Sequence, residues 1–141
     1  LRRLTGPTLF VGTGTGFTPL RSMLRNALAS DESAPLWVLF GVRREEEMIY
    51  RDELLGFAAK HPNIRVEYTL SQGSEAWSGR RGYVQTHLRE LWEEMAALGA
   101  DGTEKPHVFI CGLAKMITDV RDVLRKQMEL PRQLVHSERY D

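Results

Sequence analysis

The chain has 141 residues, 42% hydrophobic and 27% charged, a balance that suits one domain with a single substantial core and leaves little room for two. Nineteen basic and nineteen acidic side chains cancel, so no overall field draws the protein to nucleic acid or to an anionic membrane. The lone Cys111 excludes an internal disulfide and a cysteine-only metal site, and no apolar run approaches the ~20 residues of a membrane span or resembles a signal peptide; a cytoplasmic, reducing setting is the expectation.

The opening "LRRLTGP" lacks an initiator methionine and enters the first predicted strand almost at once, as expected of a domain cut from a longer chain. That strand is "TLFV", residues 8–11. Three glycines at alternate positions follow, Gly12, Gly14 and Gly16, and then Thr18 and Pro19 mark a helix start as N-cap and first helical residue. Leu20, Leu24, Ala27 and Leu28 give that helix its apolar stripe. A second strand is predicted over 36–41, "LWVLFG". After it comes a charge-rich solvated stretch and a looser helical stripe of Ile49, Leu54, Leu55 and Ala58. The third strand, 64–70, "IRVEYTL", leads into a long polar connection over 71–82. A clean helical period follows at Val84, Leu88, Leu91, Trp92 and Met95. The fourth strand is 107–111, "HVFIC"; the fourth helix carries Leu113, Ile117, Val120, Leu124 and Met128; the fifth strand is 133–137, "QLVHS".

Five strands alternating with four helices predict an α/β domain over residues 1–141, a doubly wound, Rossmann-like parallel sheet of order 3-2-1-4-5 with helices on both faces. In such a sheet ligands lie at the carboxyl ends of the strands. The glycine turn sits there, with helix N–H groups pointing into it and no Cβ atoms in the way, which suits a pyrophosphate. Its spacing is GxGxG followed by "FTP", not the GxGxxG dinucleotide fingerprint. "VFICGLAKMITDVRDVL" repeats the strand, turn and helix logic, with Cys111 and Gly112 at the turn and on the same edge.

Together "GTGTGFTPLRSML", "GYVQTHL", "CGLAKM" and the terminal "HSERY" resemble, in order and spacing, the NAD(P)-binding domain of the ferredoxin-NADP reductase family. The resemblance implies hydride transfer between NAD(P)H and an FAD held by a separate N-terminal β-barrel domain absent from this chain, with onward electron transfer to an iron-sulfur or oxygenase partner. It implies that Gly12, Thr13, Gly14, Thr15 and Gly16 contact the pyrophosphate and nicotinamide side of the coenzyme, with Pro19 fixing the helix. It places Cys111, Gly112 and Leu113 beside the nicotinamide, Tyr140 over the flavin ring and Glu138 in the polar shell of the transfer point. Asp141, beyond the aromatic residue that ends the plant-type enzymes, departs from the pattern. By the same resemblance Ser71, Arg81, Tyr83 and Gln85 would grip a 2′-phosphate and cover the adenine, with Gln72 where the family has an arginine and Arg80 as a possible substitute. Arg43 and Arg44, at the end of strand two where an acidic residue would favour NAD, also point to NADP.

His61, His87, His107 and His136 show no ligand spacing, and no nucleophile elbow or P-loop lysine is present. A rival reading is a nucleotide-sensing module with the same fold and no electron transfer. Cys111 and Tyr140 separate the two, because a sensor needs no aromatic lid beside a transfer-site turn.

Overall fold

In the computed structural model, residues 6–14, 21–22, 25–26, 34–48, 51–98 and 105–139 are described. Six parallel strands form one sheet: β1 (Thr8–Thr13), β2 (Leu36–Val42), β3 (Ile64–Leu70), β4 (Arg80–Arg81), β5 (His107–Gly112) and β6 (Val135–Arg139), in the order β4-β3-β2-β1-β5-β6. The five predicted strands are all present in their predicted spatial order. The sixth, β4, is a correction: two residues of the 71–82 connection pair with Thr69 and Leu70 and extend one edge. The last strand also begins later than predicted. Gln133 and Leu134 belong to a short 3₁₀ turn, Arg132–Leu134, and the strand continues into Glu138 and Arg139.

Alternation of side chains along each strand builds two cores from strands that are apolar throughout. Leu9, Val11, Trp37, Leu39, Val108 and Ile110 face one way. They meet helix α2 (Leu88–Ala97) and helix α3 (Ala114–Asp122), which continues as a π-helical turn to Gln127. Phe10, Val38, Phe40, Tyr68 and Cys111 face the other way and pack with Leu54 of helix α1 (Arg51–Lys60). Residues 21–22 and 25–26 are also helical; Leu20, Leu24, Ala27, Leu28 and Ile49 lie outside the described residues.

Two expected core positions are corrected. Leu55 and Leu113 are exposed, Leu55 because it neighbours the buried Leu54 and turns off the core side of α1, Leu113 because it is the N-cap residue of α3, before the helical stripe begins. The other described members of the last two stripes are buried or pack on the first core, although Val84 stands in a 3₁₀ turn ahead of α2.

Tyr68 is buried with a hydroxyl that has no hydrogen-bond partner among the described residues, and burial pushes its phenol up to about 12 despite the opposing charge of Arg51. A buried donor left unsatisfied costs ~1–3 kcal/mol. Tyr68→Phe is therefore expected to raise the free energy of unfolding by about 1 kcal/mol, read as a higher urea midpoint at unchanged slope. A lower midpoint would show that the hydroxyl is satisfied.

Candidate functional site

Because every strand is parallel, the carboxyl ends gather on one edge, and register then decides which residues are neighbours. Gly12 pairs with Phe40 on one side and Cys111 on the other, and Cys111 pairs with Glu138. Three motifs from the two ends of the sequence thus lie on adjacent strands. Thr13, Gly41 and Thr69 form the next row outward across β1, β2 and β3.

The glycines of this edge divide by purpose. A Cβ on Gly12 would come within 2.8 Å of the Phe10 ring, and one on Gly112 within 2.6 Å of Met116 and 2.9 Å of the Thr13 hydroxyl. One on Gly41 would come within 2.7 Å of Val84 and 3.2 Å of the Thr13 methyl. These three allow close packing, and Thr13 fills the space that Gly41 and Gly112 leave. Gly41 entered the sequence analysis only as the last residue of the second predicted strand. Gly14 is different: its φ is +51°, and a Cβ there would meet nothing within 4 Å. It combines a left-handed turn with open space above the strand ends. Thr15, Gly16, Pro19 and Tyr140 lie outside the described residues.

Across β5, Leu113 precedes α3 with extended backbone and no side-chain cap. The start of that helix therefore lies at the same edge as the Gly12 and Gly14 backbone. Cys111 itself is fully buried in the second core, so the position brings backbone, not an exposed thiol, beside Gly12. Glu138 is exposed on β6.

At the opposite side of the edge, the connection after β3 folds back on itself. Gln72 donates its amide to the Arg43 carbonyl at 2.7 Å, and Ser71 to that of Val42 at 3.1 Å. Arg81 donates to the carbonyls of Gly73 (3.0 Å), Ser74 (2.6 Å) and Trp77 (2.6 Å). Glu45 receives both the amide and the hydroxyl of Ser74, and those bonds hold its carboxyl below the usual carboxylate range. Gly82 has φ +96° and leads into Tyr83, whose side chain is 66% exposed. Gln85 is half-buried in the following turn.

The two arginines of β4 part company. Arg80 binds Glu67 at 2.5 Å and Glu90 at 2.8 Å, with His87 at 3.2 Å, and its guanidinium holds Glu90 below the usual carboxylate range. Arg80 is thus engaged on the α2 side, while Arg81 braces the loop. Arg43 is exposed and paired with Glu47 at 3.3 Å. Glu45, Ser74, Trp77 and His87 were not singled out from the sequence as site residues; the acidic run after Arg43–Arg44 and the histidine ahead of α2 were their only signals. His107 and His136, distant in sequence, hydrogen-bond at 2.8 Å. No group of three or more metal-ligating side chains occurs among the described residues, and no described helix is long and apolar enough to cross a membrane.

Residues 10–122 match the family model of the oxidoreductase NAD-binding domain. The chain is 57% identical over 135 residues to ferredoxin--NADP reductase B of Sorangium cellulosum, covering 96% of this chain and 54% of that protein. It is 43% identical over 89 residues to the ferredoxin--NAD(P)(+) reductase component of the naphthalene 1,2-dioxygenase/salicylate 5-hydroxylase systems of Ralstonia, covering 62% of this chain and 27% of that one. Among solved structures, ferredoxin-NADP+ reductase from Plasmodium falciparum superposes with a TM-score of 0.73 at 29% identity, covering 96% of this chain and 52% of that one. The chain thus spans about half, or less, of the length of these relatives.

Proposed function

The chain belongs to the NAD(P)-binding domains of the ferredoxin-NADP reductase family, and from that premise we propose that it binds the nicotinamide coenzyme of a flavin-dependent NAD(P)H oxidoreductase along the carboxyl edge of its sheet. The observation that carries the proposal is the register that sets Gly12, Cys111 and Glu138 side by side. The fit to a coenzyme rests on two features of that edge: the left-handed turn at Gly14 and the exposed Tyr83.

In this reading the turn from Gly12 through Gly16, with Pro19 behind it, and the backbone of Gly112 and Leu113 receive the pyrophosphate and nicotinamide. Tyr83, beside Gln85, offers a flat face to the adenine. When bound, the nicotinamide and the flavin supply the hydride chemistry themselves, and the protein's share is to orient them and exclude water. Glu138 lines the transfer point, and Tyr140 shields the flavin. The FAD belongs to an additional β-barrel domain of a longer protein, and the electrons pass on to an iron-sulfur or oxygenase partner; the names of the Sorangium and Ralstonia relatives, which include a ferredoxin and, for the second, a dioxygenase/hydroxylase system, support that reading.

The coenzyme of this proposal is NADP. Three of the five guanidinium donors of Arg81 are spent on carbonyls, which fixes the charge in place and leaves two donors for a phosphate next to Ser71. Arg80 has no part in it, since Glu67 and Glu90 occupy its guanidinium. Arg81→Ala is expected to weaken binding of 2′,5′-ADP about tenfold to a hundredfold, the ~1.5–3 kcal/mol of a charge-assisted hydrogen bond, and binding of 5′-AMP far less. Equal losses for both ligands, or a wild-type preference for 5′-AMP, would make the coenzyme NAD.

A further inference from the structure

The turn that carries Arg81 and Tyr83 is held by a side chain outside every position assigned above. His87 is the N-cap residue of α2, and both ring nitrogens have partners of fixed character. Nδ1 lies 3.2 Å from Nη1 of Arg80. A guanidinium only donates, so Nδ1 accepts and carries no proton. Nε2 lies 2.8 Å from the Arg81 carbonyl. A carbonyl only accepts, so Nε2 carries the proton. Thr69 agrees: its hydroxyl donates to the Gly82 carbonyl at 2.8 Å, and its oxygen, 3.1 Å from Nε2, is left to share the ring N–H. The Nε2 contacts require a ring N–H there, and the Nδ1 contact requires a bare nitrogen; together they select the neutral Nε2–H form.

We propose that His87 is a positioning residue for coenzyme binding, which in its neutral form fixes the Arg81–Gly82 backbone and on protonation releases it, lowering affinity for the adenosine end. The inference rests on the reading of this edge as the adenosine site. Histidine is the side chain whose charge ordinarily changes between about pH 5 and 8. A proton on Nδ1 removes the lone pair that Arg80 uses and sets an imidazolium against a guanidinium. Glu90, on α2, couples to the His87 charge, and Glu67, on β3, holds Arg80 from the other side. Arg65 shares Glu67 and also pairs with Glu94. Arg80 thus stays with its carboxylates while the imidazolium is drawn toward Glu90. The imidazolium keeps its Nε2–H, so release of the Arg81 carbonyl comes from displacement of the ring by the Arg80 charge and not from loss of the donor. The turn then loses its tie to α2, and the Tyr83 face and the Arg81 charge lose their fixed positions.

The test is calorimetric titration of the wild-type chain and His87→Gln with 2′,5′-ADP between about pH 5.5 and 8.5, with ¹⁵N NMR of the wild-type imidazole nitrogens. Ionisation of the ligand's phosphate is common to both proteins and cancels in the ratio of their affinities. The expected result is a wild-type to variant ratio that falls at least about fivefold on acidification, with a bare Nδ1 and a protonated Nε2 at the alkaline end. A ratio independent of pH, or a protonated Nδ1 at the alkaline end, overturns the inference and leaves the site standing. Absence of 2′,5′-ADP binding to the wild type at every pH overturns the adenosine site and the inference with it. Should His87→Gln not fold, the Gly82 and Tyr83 amides of the wild type decide: they must shift with the same midpoint as the His87 ring, and a different midpoint or no shift overturns the inference.

Discussion

Gly14→Val is expected to lower affinity for NADP by about two to four decades while the chain still folds cooperatively. Gly14 has φ +51°, a conformation that costs an L-residue roughly 1–2 kcal/mol and a β-branched one at the upper end. Valine therefore drives the turn toward negative φ, away from the conformation the proposed site uses. Loss of one charge-assisted hydrogen bond adds ~1.5–3 kcal/mol, and the sum of ~2.5–5 kcal/mol gives about two to four decades. A Cβ at Gly14 meets nothing within 4 Å among the described residues, so no described core contact is disturbed. Calorimetry with NADP beside a thermal melt separates the two effects. Unchanged affinity in a folded variant would remove the turn from the binding site.

Phe10→Ala carries the largest expected loss of stability. The ring is fully buried and stacks on Phe109 with centroids 6.2 Å apart. Its Cε1 stands 2.8 Å from the point where a Cβ on Gly12 would lie. Truncating a buried phenylalanine costs ~3–5 kcal/mol, a fifth or more of the ~5–15 kcal/mol that typically holds a domain together. The same cavity removes the floor beneath the end of β1. Denaturant unfolding should show a markedly lower midpoint, and nucleotide affinity should fall even under conditions where the variant is folded. A loss below about 1 kcal/mol would mean that Phe109 and Phe40 close the gap.

Much of this arrangement was legible because long apolar runs and helical stripes are strong local signals. β3 occupies its predicted residues, 64–70, and the glycine turn and the Cys111–Gly112 turn lie on one edge as the alternating pattern required. β4 was not legible: two arginines without a β-branched neighbour carry no strand signal, and pairing with Thr69 and Leu70 alone makes them one. Missing that strand concealed the rule that separates Arg80 from Arg81, since consecutive strand residues point to opposite faces. One went to Glu67 and Glu90, the other to the loop carbonyls. Leu113 looked like the first member of a stripe, but a helix cap obeys no helical period. By resemblance Cys111 stands at the turn beside the nicotinamide with no thiolate chemistry asked of it, and the pleat turns its side chain into the core. Gly41 was hidden for the opposite reason, because its importance lies in contacts with Thr13 and Val84, both distant in sequence.

The central claim, that the nicotinamide coenzyme lies along the carboxyl edge, is tested most directly by ¹H–¹⁵N chemical-shift mapping of the chain during titration with NADP. The account predicts shifts concentrated at Gly14, Gly41–Arg43, Ser71, Arg81–Tyr83 and Leu113–Met116, with the opposite edge at Asn63, His107 and Leu130 unmoved. Saturable shifts centred on that opposite edge, or none anywhere at saturating coenzyme, would contradict it.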